Sequence, residues 1–287
     1  MTTLLTLLFN GVTYGVLLFV MAVGLSVTMG MMNFANMAHV SLAALGGYLA
    51  VSAMDHLGVP FLASLPMAFV GAMGFSWALE RLVLRHFYDA DVLVQVLLTL
   101  GLLFMSVSVL AWIWGPSFKP IRVPEFLSAQ TELLGLHLER YRLFLLAIGT
   151  VLALALVFGL ERTRFGAMVR ACVDSRRAAS GCGLNIQRIF ALTFAIGGGL
   201  AGLGGALAAN MVTLDPQFPL RYLIYMLILV SVGGMGSITG TLLASMLIGV
   251  GDVVGKYYVP QVGGVMIYLV AVVVMLLRPQ GLLGKPA

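Results

Sequence analysis

Asn33, Asn36 and His39 follow one another at three-residue spacing in an otherwise apolar run, GMMNFANMAHVSLAALGGYLA over residues 30–50. Two carboxamides and an imidazole supply both hydrogen-bond donors and acceptors. Inside apolar sequence such groups must be satisfied by protein or by water. That leaves two readings: they serve the free backbone of a broken helix, or they line a path for a polar solute. Bond-breaking chemistry is not expected of them. His39, His56, His86 and His137 are scattered, Cys172 and Cys182 are the only cysteines, and no Cys/His metal spacing exists. Glu125, Glu132 and Glu139 share one polar stretch without a catalytic spacing. None of Lys119, Lys256 or Lys285 precedes Ser or Thr, so the chain has no phosphate-binding Gly-x-x-x-x-Gly-Lys-Ser/Thr loop. The expectation is a non-catalytic chain with no metal or cofactor of its own.

A second break, Gly233, Gly234, Met235, Gly236, Ser237, Ile238, Thr239 and Gly240, also interrupts apolar sequence. Its Gly236 and Gly240 spacing suits close helix packing, while its free backbone groups suit contact with a solute, and the two roles can coexist. Both breaks precede a helix of small residues, residues 30–50 and 233–249, which suggests a diverged internal repeat. Paired broken helices are where transporters often place substrate, near the membrane midplane.

The remaining chemistry is electrostatic. Arg162 to Arg188, RTRFGAMVRACVDSRRAASGCGLNIQR, holds six arginines against one acid, Asp174. Read as one helix from Arg164 to about Ser180, it aligns Phe165, Met168, Val169, Cys172 and Val173 as an apolar stripe. Arg170, Asp174 and Arg177 fall opposite, and Arg170 and Asp174 are spaced to pair. This is either an interfacial helix that sets membrane orientation or a docking helix for a cytoplasmic partner.

What must position these groups is a membrane bundle. The 287 residues are 61% hydrophobic and 9% charged, with a mean hydropathy of +1.05. A span needs roughly 20 apolar residues to cross the ~30 Å hydrocarbon core. Residues 1–54, 189–214, 222–251 and 257–277 contain no Asp, Glu, Lys or Arg. The fold class expected is all-α: a polytopic integral membrane protein with about 8–10 transmembrane or re-entrant helices, including broken helices, in one domain over residues 1–287. The N-terminal residues lack a basic region and a cleavage site, so they are expected to form the first span rather than a signal peptide. The net charge of +5 comes from arginines at span boundaries, which argues for orientation and against nucleic acid. A basic C-terminal tail set in the cytoplasm places the island and Arg81/Arg85 on that side too, with the Pro-containing loop of residues 115–142 outside. The N-terminus is outside if residues 33–54 cross, and inside if they are re-entrant.

Four stretches taken in order resemble one family: LFNGVTYGVLLFVMAVGLSVTMGMMNFANMAHVSLAALGGYLA, the arginine island with RIFALTFAIGGGLAG, VGGMGSITG, and the closing RPQGLLG. They are similar to the inner-membrane permease subunits of branched-chain amino-acid ABC importers, of the LivH type, over nearly the whole length. The resemblance implies a multi-pass protein of the bacterial inner membrane. It also implies a second permease, a paralogue, two cytoplasmic ATPase subunits that bind ATP and Mg, and a periplasmic binding protein. It makes residues 162–188 the ATPase-coupling region, with Gly166, Arg170, Ala171, Asp174, Ala178 and Gly183 at matching positions. Asn33 and Phe34 carry over as pathway positions, to which our own reading adds Asn36, His39, Gly233, Gly234 and Gly236. The family usually reads Asn-Phe-Ala-His-Gly where this chain has Asn33, Phe34, Ala35, Asn36 and Met37. Relatives also carry urea, short amides and small organic acids, so those substrates stay open beside branched-chain amino acids. A stand-alone secondary transporter or channel is the alternative of another class. Such proteins tend to keep a charge in mid-membrane, which the long apolar segments lack.

Overall fold

The computed structural model describes residues 2–32, 34–133 and 136–283. Helix α1 (Thr2–Met32) is unbroken over 31 residues. It is followed by α2 (His39–Leu57) and α3 (Phe61–Leu82), joined where Gly58 takes φ 63° and ends α2. Then come α4 (Val92–Trp114), a single turn α5 (Glu125–Ser128) and α6 (Arg140–Leu156), which continues as a π-turn over Val157–Glu161. The arginine island forms α7 (Arg164–Asp174) and α8 (Arg176–Gly181). The chain ends with α9 (Ile186–Ala208), α10 (Phe218–Gly233), α11 (Ile238–Tyr258) and α12 (Met266–Leu277). Among the described residues seven helices are long and apolar enough to cross a membrane, and α10 and α12 are shorter apolar helices. The expected all-α polytopic architecture is what forms.

Helices α1 and α9 make the centre of the bundle. Leu17, Leu18, Phe19, Val20, Met21, Ala22 and Val23 are all fully buried, so this stretch of α1 is covered on every side. Glycines allow that enclosure. A Cβ on Gly205 would fall 1.8 Å from the Ala43 carbonyl oxygen of α2, and one on Gly46 would fall 2.2 Å from Gly202 Cα. Only hydrogen fits there, and the backbones of α2 and α9 touch. Gly15 and Gly249 do the same for α1 and α11, where a Cβ on Gly249 would lie 2.5 Å from Gly15 Cα. Ser26 and Thr241 add a buried hydroxyl pair, 2.9 Å apart, across the same two helices.

The structure changes one sequence expectation, the single island helix, and adds two features. The loop of residues 115–142 is not purely irregular: Gln130–Leu133 and Leu136–Glu139 form an antiparallel hairpin pairing Gln130 with Glu139. The island is two helices, because Ser175 turns extended (φ −154°) and its hydroxyl accepts the Ala178 N–H of the second. Helix α11 runs past Gly251, so Asp252 and Lys256 lie within it and pair at 2.6 Å, with Asp252 buried. That pair stands close to the helix end, not in mid-span.

Candidate functional site

Both interruptions are connections between helices, and both lie at the end of the bundle that carries the arginine island. The end of α1, just before the first, packs on the second. A Cβ on Gly30 would fall 1.9 Å from the Gly236 nitrogen, and Gly236 takes φ 81°. The closing tail straps the second. The Leu282 N–H donates to the Val232 carbonyl at 2.7 Å and Leu283 to Gly233 at 3.3 Å, using carbonyls that the end of α10 leaves free. Gly233 and Gly234 are buried beneath this strap, Gly236 is half-buried, and Gly234 has φ 93°.

The first break, between α1 and α2, has its backbone held by α4. Gln95 Oε1 accepts the Ala35 N–H at 3.1 Å, and Thr99 Oγ1 accepts the Met37 N–H at 3.1 Å. The Gln95 amide in turn donates to the carbonyls of Phe87 and Ala90, at 3.2 and 3.1 Å. Gln95 and Thr99 are 3% and 0% exposed on a helix that is otherwise mostly on the bundle surface. They escape a reading based on breaks and charges. The signal for them is a polar pair four residues apart on an apolar helix, continued by buried Leu103 and Leu110.

With the backbone served from α4, the Asn36 carboxamide stays unpaired. Asn36 is 1% exposed and His39 fully buried. Both carboxamide atoms lack hydrogen-bond partners among the described residues, and the His39 ring faces the Met21 backbone without closing a well-formed hydrogen bond to it. His39 packs against α1, where a Cβ on Gly24 would fall 2.8 Å from its Cε1. Leaving buried donors and acceptors unmade costs about 1–3 kcal/mol each, and such groups in a native interior call for a partner. Asn33 lies outside the described residues.

Phe34 anchors the same break in an aromatic stack. Tyr88 stands edge-on to Phe34 and to Phe190 of α9, each with ring centroids 5.5 Å apart, and its hydroxyl donates to buried Glu80 at 2.8 Å. One apolar cluster then joins this stack to the island. It contains Phe34, Phe190, Val169 and Cys172 of α7, and Ile238 at the start of α11 after the second break, with Phe165, Met168 and Val173 packed on it. The expected stripe of α7 therefore reaches both breaks. Gly166 is buried in it, Arg170 is half-buried, and Ala171, Asp174, Ala178 and Gly183 are exposed. Thr163 caps α7, accepting the Gly166 N–H at 3.4 Å.

The sequence profile of the family described as "Branched-chain amino acid transport system / permease component" matches residues 7–277. The chain belongs to this permease family. Three curated relatives agree along nearly their full length. The high-affinity branched-chain amino acid transport system permease protein BraD of Pseudomonas aeruginosa is 25% identical, covering 97% of this chain and 95% of its own. The corresponding LivH of Escherichia coli is 24% identical with the same coverage. The probable LivH of Methanocaldococcus jannaschii is 26% identical, covering 96% and 91%. No solved structure matches this chain. For this permease, the island end thus gathers an exposed polar and basic surface, a buried stripe, two breaks of which the second is strapped by the tail, the unpaired carboxamide of Asn36 and the buried ring of His39.

Proposed function

We propose that this permease is one half of the membrane channel of an ATP-driven importer for branched-chain or related amino acids in the bacterial inner membrane. It pairs with a second permease, receives substrate from a periplasmic binding protein, and rests its island on two cytoplasmic ATPase subunits that bind ATP and Mg. The chain itself is non-catalytic, and its C-terminus is cytoplasmic. The observation that carries this reading is the apolar cluster shared by α7 and the two breaks. A push on the exposed face of α7 and α8, around Ala171, Asp174 and Ala178, moves Val169 and Cys172 as part of the same packed body as Phe34 and Ile238. Packed cores switch between discrete arrangements rather than deforming continuously, so the push shifts the region of Asn36 and His39 as a unit. Those side chains then offer hydrogen bonds to the polar part of a small solute.

The test is affinity isolation of the tagged permease from its native membranes in mild detergent, with mass spectrometry of what accompanies it and ATP-driven uptake after reconstitution. Two ATPases bearing phosphate-binding loops and a second permease are expected, with uptake of branched-chain amino acids that stops without ATP. Recovery of the chain alone, with uptake that survives ATP depletion and fails without an ion gradient, replaces this reading with a stand-alone transporter.

A further inference from the structure

On the bundle's flank between α6 and α9, next to α7, is a cavity of about 170 Å³. Its walls are Val27 of α1, Leu156 and Gly159 of α6 and the π-turn, Phe165 of α7, and Ile196 and Leu200 of α9. The polar wall member, Thr193, has its hydroxyl committed to the Ile189 carbonyl at 2.8 Å. Nothing polar is held there, and the occupant that matches is a hydrocarbon chain. The rims are open: Leu154 of α6 and Phe158 of the π-turn, and Leu192 and Ile196 on α9, are 53%, 51%, 51% and 36% exposed.

Exposed arginines stand within one turn, in the chain, of residues on both rims. Arg162 follows Phe158 by one turn and stacks its guanidinium 5.2 Å above that ring. Arg188 precedes Leu192 and Ile196 at four-residue spacing on α9, and Arg164 adjoins Phe165. All three arginines are exposed. The helix at the mouth is a π-turn, Val157–Glu161, a form that concentrates at functional sites. At its centre Gly159 faces open space, with nothing within 4 Å of where a Cβ would sit. An apolar cavity bordered by exposed arginines has the chemistry of an anionic phospholipid, tail within and phosphate above.

We propose that the α6–α9 cleft binds one anionic phospholipid, with an acyl chain in the cavity and its phosphate on Arg162, Arg164 and Arg188. Because Phe165 is both a wall of the cleft and part of the α7 stripe, the lipid braces the island helix from the side. The experiment uses the full-length permease, with whatever subunits co-purify, in detergent containing equal amounts of phosphatidylglycerol and phosphatidylcholine of matched chains. Retained lipid is read by native mass spectrometry. Phosphatidylglycerol is expected to be held in preference, with about a fivefold loss for each of Arg162→Gln and Arg188→Gln. Gly159→Leu, which fills the cleft from a position with open space, is expected to lower retention of both lipids while the melting temperature holds. Equal retention of the two lipids by the unaltered protein overturns the proposal. So does a Gly159→Leu protein that keeps its phosphatidylglycerol.

Discussion

Thr99 is the residue on which the first break depends most directly. Its hydroxyl accepts the Met37 N–H and lies 2.8 and 3.2 Å from the carbonyls of Gln95 and Ala35. Met37 is 9% exposed, so water does not replace that acceptor easily. Thr99→Val keeps the shape and removes the oxygen. It is expected to cost about 1–3 kcal/mol, the penalty for a buried donor left unmade, and to lower the melting temperature of the purified permease. Thr99→Ser keeps the acceptor and should melt close to the unaltered protein. Equal melting of the Val and Ser variants would show that the break does not rely on α4. The contrast with Asn36 is chemical: its carboxamide holds nothing in the fold, so Asn36→Leu should leave melting unchanged or raised while uptake falls. A sequence shows both residues as polar letters in apolar runs. Which one faces the broken backbone follows from how α4 packs on the connection, a contact across about sixty positions that no local spacing encodes.

At the scale of elements, the seams between helices are glycine seams, and they rank the glycines. Gly205→Ala drives a methyl into the Ala43 carbonyl, whereas Gly101 of α4 has nothing within 4 Å of its Cβ position. Gly205→Ala should therefore destabilise by about 1–3 kcal/mol, the range for an overpacked core. Gly101→Ala should be neutral or stabilising by up to about 1 kcal/mol, the gain in helix propensity. Melting of the two variants side by side checks this, and equal behaviour would refute the backbone contacts of α2 and α9. The apolar spans were legible because length and charge exclusion are properties of one segment. The glycine richness of α9 was legible as close packing, but not that α2 and α3 are its partners. The split of the island was hidden because Ser175 reads as one more small residue in a helical pattern until its capping bond is seen. Asp252 and Lys256 show in the sequence as two charges near the end of an apolar run, with nothing to say that one helix carries both. In the fold they neutralise each other along one helix face.

The whole molecule has a polarity that one reagent can read. Nine apolar helices, an odd number among the described residues, put Thr2 and Arg278 at opposite ends of the bundle. At the Arg278 end Arg81, Arg85, Arg162, Arg164, Arg170, Arg177 and Arg188 outnumber the acids Glu80, Asp89, Asp91, Glu161 and Asp174, whereas the other end balances Lys119, Arg122, Arg140, Arg142, Arg221 and Lys256 against Asp55, Glu125, Glu132, Glu139, Asp215 and Asp252. An excess of arginine in short connections marks the cytoplasmic side, and the proposed coupling to ATPase subunits requires α7 and α8 to lie there. The two thiols test this. Cys182 is exposed and Cys172 is fully buried. Burial also raises the Cys172 thiol above its ordinary pKa, so less of the reactive thiolate forms at neutral pH. A membrane-impermeant maleimide should label Cys182 in inverted vesicles and not in intact spheroplasts. The Cys182→Ser protein should stay unlabelled from either side until it is denatured, when Cys172 reacts. Labelling of Cys182 from outside intact cells would turn the molecule over. The basic surface would then face away from the cytoplasm, and a drive from ATPases at α7 and α8 would have no route to the breaks.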